Sequence, residues 1–191
     1  MAVKYEFARL FKWGIAAVPG RTGVFLRRCL YKLYFKRVGD NLSIAEGVSI
    51  NGFENVVVGD NVWVFKNSYI YADEGELFIG DSVGINSNVH VGASHGRISI
   101  GNGCLIGPNC VLRAADHCFN DPHKPILEQG FVGGEIVLED DVWLASNVVV
   151  IKNVIIGKGS VIGAQSVVTK SLPPYSIAHG VPAKVVGSRA V

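Results

Sequence analysis

From Val38 onward an aliphatic residue recurs at every sixth position, and no other feature of the chain constrains its fold as strongly. The series opens with Val38, Ile44 and Ile50 and closes with Ile156, Ile162 and Val168, restarting in between at Val58, Ile79, Ile100 and Leu138. All eighteen positions hold Val, Ile or Leu. A six-residue unit is too short for a helix pair and fits one short strand plus one corner. β-branched residues favour the strand, and the Gly and Asn residues between them supply corners with positive φ. Three units make one triangular coil, with the aliphatic side chains stacked inside and the strands paired in parallel from coil to coil. Composition agrees: glycine makes up about 12% of the chain against a usual ~7%, without the Gly-X-Y triplet of collagen.

The coil starts at 38, 58, 79, 100, 138 and 156 are spaced by 20, 21, 21, 38 and 18 residues. Eighteen is the bare three-unit coil, so two or three extra residues in the early coils predict bulged corners. The long gap predicts one excursion, residues 118–135, and such a loop in a regular solenoid is usually functional. Cys104 and Cys110 fall in the small-residue slot of consecutive units and read as buried hydrophobes.

The net charge of +2 is unevenly placed: residues 1–40 carry +7 and residues 41–191 carry −5. A basic head on an acidic body does not make a uniform nucleic-acid surface. Four cysteines without a CxxC indicate neither a disulfide framework nor a zinc knuckle, and fit a reducing, cytosolic setting. No apolar run reaches the ~20 residues of a membrane span, and the N-terminus does not read as a signal peptide. Residues 22–37 read as a helix with Thr22 as N-cap. Arg28, Lys32 and Lys36 form one face, and Phe25, Leu26, Cys29, Leu30, Leu33 and Tyr34 the other. Such a helix covers the open first coil and suits a peripheral membrane contact. The expected organisation is thus a basic amphipathic segment, 1–37, a repeat body, 38–174, and a C-terminal segment, 175–191.

The hexapeptide series resembles the hexapeptide-repeat acyltransferase superfamily, which implies an all-β, left-handed parallel β-helix with an N-terminal helical cap and a short C-terminal helix or extension. The left hand comes from the resemblance alone, since ordinary parallel crossovers are right-handed. Val167-Val168-Thr169-Lys170-Ser171-Leu172-Pro173-Pro174 and Gly180-Val181-Pro182-Ala183-Lys184-Val185-Val186 are similar to the last coil and tail of acetyltransferases acting on sugars and serine. Asp116-His117-Cys118-Phe119-Asn120-Asp121-Pro122, with Pro125-Ile126 and Gln129-Gly130-Phe131, resembles the polysaccharide and lipopolysaccharide O-acetyltransferase branch. The maltose and galactoside enzymes place Pro where this chain has Cys118.

Acyl transfer from a thioester needs a base, donors for the developing oxyanion and a slot for the carrier. Histidine titrates near neutrality, and His117 stands at the repeat break, so it is the expected base. Asp116 is a candidate to orient it, with Asp121 and Glu128 as alternatives. Asn86, one coil earlier, matches the acceptor-contacting Asn of the sugar enzymes, and His95 and Asp121 are further substrate-binding candidates. His90, His123 and His179 read as surface or interface residues. Coenzyme A is expected beside the last coils, against backbone N–H groups near Ala145, Ser146 and Ala164, one near Ala145 serving the oxyanion. Trp143 is placed near the thioester, and Thr169, Lys170, Lys184 and Arg189 near the phosphates.

The resemblance implies an acetyltransferase moving acetyl from acetyl-CoA, without a metal, to a sugar hydroxyl of a cell-surface polysaccharide or its lipid-linked precursor. The resemblance implies a homotrimer with shared sites, and the expected location is cytoplasmic, at the inner face of the membrane. N-acetylation of a nucleotide-linked amino sugar is the alternative. A γ-type carbonic anhydrase using His90, His117 and His123, or a structural β-helix, fits the pattern less well.

Overall fold

The computed structural model of the chain describes residues 14–190. Residues 37–168 wind into a left-handed parallel β-helix of six coils with three faces. The first face runs from Arg37–Val38 to Val154–Ile156, the second from Ser43–Ile44 to Val161–Ile162, and the third from Ser49–Asn51 to Val167–Val168. Every pairing along these three faces is parallel, in a register that sets each aliphatic repeat residue beside its equivalent: Ile79, Ile100, Leu138 and Ile156, for example. Seventeen of the eighteen repeat positions are buried, and Val38, at the open end, packs partly buried against the core. Each such side chain contributes about 1.5–3 kcal/mol of hydrophobic stabilisation relative to full exposure. Asn67, Asn88, Asn109 and Asn147 take positive φ at one corner of successive coils, the conformation Asn tolerates best after Gly.

The extra residues of the early coils all fall on one edge, between the third and first faces. Residues 52–55, 72–75 and 93–96 turn that corner in four residues, where residues 152–153 turn it in two. The long excursion leaves from the same edge, and it begins earlier than the predicted 118. Ala115–His117 pairs antiparallel with Phe131–Gly133, so residues 115–133 form a hairpin arm.

The first coil is covered, though by a different arrangement than expected. The helix is Gly20–Tyr31, with Pro19 and not Thr22 at the N-cap, and residues 32–36 turn into the first strand. Its inward face is Gly23, Arg27 and Tyr31, while Phe25 and Leu33 from the predicted apolar side are 64% and 78% exposed. Arg27 is fully buried because backbone carbonyls at the end of the helical turn at 14–17 need donors. Its Nη1 donates to Ile15 O at 2.9 Å and Val18 O at 2.7 Å, and its Nε to Ile44 O at 2.8 Å. Tyr31 and Phe35 pack on Phe53 with ring centroids 5.3 and 4.9 Å apart, closing the open end. Residues 1–13 of the predicted basic segment lie outside the described residues. At the other end the tail is a hairpin, not a helix: Ser176–Gly180 extends the second face and Ala183–Ser188 pairs back on it antiparallel.

Candidate active site

His117 reaches its position through the hairpin arm. Its strand leaves the third face at Ala115 and pairs Asp116 with Val132 and His117 with Phe131. Gly133 lets the returning strand touch the previous coil, since any Cβ there would collide with the His95 carbonyl. The loop is held by Gln129, whose Nε2 donates to Asp121 O at 2.9 Å and Lys124 O at 2.7 Å. The Asp121 carboxylate accepts the His123 N–H at 2.9 Å, so Asp121 and His123 shape the loop they were picked from.

Phe131 touches two imidazoles. Its ring centroid is 4.3 Å from that of His117 and 4.5 Å from that of His95, the latter stacked at 17°. His95 is in turn held by Glu74, with Nδ1 and Oε2 3.1 Å apart. Glu74 and His95 occupy the same corner of consecutive coils at φ of 54° and 58°, left-handed backbone that costs roughly 1–2 kcal/mol for a non-glycine residue. Phe131 stands in the loop motif but without a role read from it, and Glu74 had no sequence signal: the first is recruited by antiparallel pairing across the loop, the second by coil stacking.

Asp116 points away from its neighbour, as alternation along a strand requires. Its Oδ2 lies 3.2 Å from Lys152 Nζ, which also donates to Val132 O at 3.3 Å. Asp116 therefore fastens the arm to the next coil and does not orient His117. Among the described residues no carboxylate lies in ion-pair distance of the His117 ring.

An open concavity of about 440 Å³ lies beside the arm, lined by Arg113, Ala115, Asp116, His117, Phe119 and Ile126. Arg113 is set by Tyr71, two coils away in the same register row. The intervening residue is Gly92, where a Cβ would strike the Tyr71 ring, and this lets the Tyr71 hydroxyl accept from Arg113 Nη1 at 2.7 Å. Neither residue is marked in the sequence, because outward positions on a strand carry no repeat signal.

The remaining candidates lie on other edges. Asn86 is exposed at the corner between the second and third faces, its Oδ1 accepting the Ser87 N–H at 2.7 Å. Ala145, Ser146 and Ala164 sit on that same corner in later coils. The Ala145 N–H donates to Ile162 O at 2.9 Å in the ladder, so it is not free to serve an oxyanion. The Ser146 and Ala164 N–H groups have no partner among the described residues, which leaves them as the open amides of that edge. Trp143 projects from the second face in one row with Trp63, Leu105 and Ile177, all exposed. Thr169 and Lys170 are exposed beyond the last strand of the third face, and Lys184 is exposed in the tail hairpin. Arg189 is occupied: Nη1 meets Asp141 Oδ2 at 3.2 Å and Gly159 O at 2.8 Å, pinning the tail to the third corner. His90 lies on the third face, edge-on to Tyr69 at 5.9 Å. Among the described residues, His, Cys, Asp and Glu form no group of three that could hold a metal, so His90, His117 and His123 are not brought together as ligands.

Residues 135–170 match the family described as bacterial transferase hexapeptide (six repeats). A probable acetyltransferase of Mycobacterium tuberculosis, Rv3034c, is 33% identical over 80 residues, which are 42% of this chain and 27% of that relative, so the chain matches about a quarter of the relative's length. Among solved structures, a variant of AntD, an N-acyltransferase from Bacillus cereus in complex with dTDP-4-amino-4,6-dideoxyglucose and coenzyme A, superposes with a TM-score of 0.77 at 25% identity, covering 86% of this chain and 89% of its own. The hexapeptide-repeat acetyltransferase VCA0836 of Vibrio cholerae gives a TM-score of 0.66 at 26% identity, covering 98% of this chain and 90% of its own.

Proposed function

The chain falls within the hexapeptide-repeat acetyltransferase superfamily, and from that premise we propose that it transfers acetyl from acetyl-CoA to a sugar hydroxyl, with His117 as general base. The observation that carries this reading is the exposed His117 imidazole on the wall of the concavity, on an arm that interrupts an otherwise regular solenoid. The ring takes the hydroxyl proton as the oxygen attacks the thioester carbonyl carbon. The tetrahedral intermediate then expels the coenzyme A thiolate, which takes the proton back from the imidazolium. No covalent enzyme intermediate is needed, and Cys118 plays no part.

The acceptor is a cell-surface polysaccharide unit or its lipid-linked precursor, and the assembly is a homotrimer. Two features support the trimer: the exposed row Trp63, Leu105, Trp143 and Ile177, and the separation of Asn86 and the open Ser146 and Ala164 amides from His117, which a neighbouring copy would bridge. The enzyme acts in the cytoplasm against the inner face of the membrane, where exposed Phe25 and Leu33 with Arg21 and Arg28 form the contact. Co-sedimentation with anionic liposomes tests that contact, and failure of the full-length chain to bind sinks it.

N-acetylation of a nucleotide-linked amino sugar is the second reading, favoured by the likeness to the Bacillus cereus N-acyltransferase and its bound amino-sugar nucleotide. Coenzyme A release assayed against glycans, lipid-linked sugars, nucleotide sugars and nucleotide amino sugars separates the two. Turnover confined to amines would replace the hydroxyl reading, and release with none of the acceptors would reject both.

A further inference from the structure

The concavity beside His117 contains a cation that the base chemistry does not use. Arg113 lines it, and no carboxylate pairs with Arg113 among the described residues. Several cations elsewhere are paired: Arg97 with Glu76 and Glu135, Lys66 with Glu46, and Arg189 in the tail with Asp141. Within the concavity the Asp116 charge is answered by Lys152 at 3.2 Å, so Arg113 leaves the wall net positive.

The guanidinium is also placed with care. Tyr71 crosses over Gly92 to accept one of its N–H groups at 2.7 Å, and the guanidinium carbon lies 5.3 Å from the Tyr71 ring centroid. One bond to Nη1 leaves the other N–H groups of the fork open, and the Tyr71 hydroxyl, already an acceptor, keeps its own proton to donate. Phe119 and Ile126 supply apolar surface beside it in the same open concavity. A preset guanidinium fork at the wall of a concavity matches a phosphate oxygen pair.

We propose that Arg113, set by Tyr71, is the anion-recognition group of the acceptor pocket, and that the acceptor carries its sugar on a phosphate or diphosphate ester. This rests on the acyltransfer reading for the word acceptor, though the anion site is testable without it. It also selects among the acceptors above, favouring an activated precursor over a finished neutral polysaccharide.

The test is isothermal titration of inorganic pyrophosphate into the full-length protein, with coenzyme A present at saturation to fill the donor slot. The expected result is one site per chain, weakened about tenfold or more by Arg113→Gln and more modestly by Tyr71→Phe. Should Arg113→Gln fail to fold, Tyr71→Phe, which keeps the ring over Gly92, decides. UDP and geranyl diphosphate are then titrated as separate arms: tighter binding of the first indicates a nucleotide-linked sugar, and of the second a lipid-linked one. Absence of pyrophosphate binding, or equal affinity in wild type and both variants, overturns the proposal. The two readings fail separately. No coenzyme A release from acetyl-CoA with any acceptor removes the acyltransfer reading and leaves the anion site standing. Unchanged pyrophosphate affinity in Arg113→Gln does the reverse.

Discussion

His117 and Phe131 face each other across the hairpin arm as an antiparallel pair, their ring centroids 4.3 Å apart. The base is thus steadied by an aromatic ring on a neighbouring strand, with no carboxylate. Aromatic contacts of this kind contribute about 0.5–1.5 kcal/mol beyond burial. Phe131→Ala is therefore expected to lower kcat by roughly two- to tenfold while the KM for acetyl-CoA stays constant. Phe131→Tyr, which keeps the ring, should restore most of the loss. An unchanged kcat in Phe131→Ala would show that the ring does not position the base.

The arm is fastened at its root by Lys152 and Asp116. About half of the Asp116 side chain is exposed, so the pair adds little to global stability, about 1 kcal/mol at most. Its effect is local. Lys152→Ala should speed proteolytic cleavage within residues 118–130 while the urea midpoint hardly moves. Equal cleavage rates would mean that the arm is held by its own loop contacts alone.

Much of this was readable from the repeat. The six-residue period specifies coil, register and interior together, because one aliphatic side chain per strand must stack on the next. It also locates the interruption, since an insertion breaks the phase. Outward positions obey no such rule. Nothing in the string Tyr71, Gly92, Arg113 announces a contact, and only parallel register brings the three into one row. Arg27 was illegible for a different reason. A charged residue in a basic run reads as solvated, yet the carbonyls of Ile15, Val18 and Ile44 gave this one a buried place.

Arg27 accordingly yields a stability prediction. Removing its guanidinium orphans the Val18 and Ile44 carbonyls, each worth about 1–3 kcal/mol when left unsatisfied, while Ile15 O keeps the Val18 N–H. Arg27→Met should cost about 3 kcal/mol or more in urea unfolding. Arg27→Lys should recover only part of this, because one ammonium cannot span carbonyls on two segments. A change near zero in either variant would contradict the pinning role.

Burial pushes the thiols of Cys104 and Cys110 up to about 11 from an ordinary 9.0. The folded state therefore holds its thiol protons more tightly than the unfolded chain. Stability from this source is complete below about pH 9, where both states are protonated, and falls as pH rises toward 11 and the unfolded thiols ionise. Cys104→Val with Cys110→Val should flatten that decline in urea midpoints between pH 8.5 and 10.5 (roughly the window between the two thiol values). At pH 8 a thiol reagent should label exposed Cys29 and spare both buried thiols. An equally steep decline in the double variant would place its cause elsewhere.

The base assignment of His117 has the most direct test. Acetyl transfer by His117→Ala is compared with wild type, using the acceptor that releases coenzyme A fastest and checking the variant's fold by circular dichroism. A general base contributes about 10²–10⁴ in rate, so turnover should fall by that factor with the KM for acetyl-CoA retained. A correctly folded variant that turns over at nearly the wild-type rate would contradict the account.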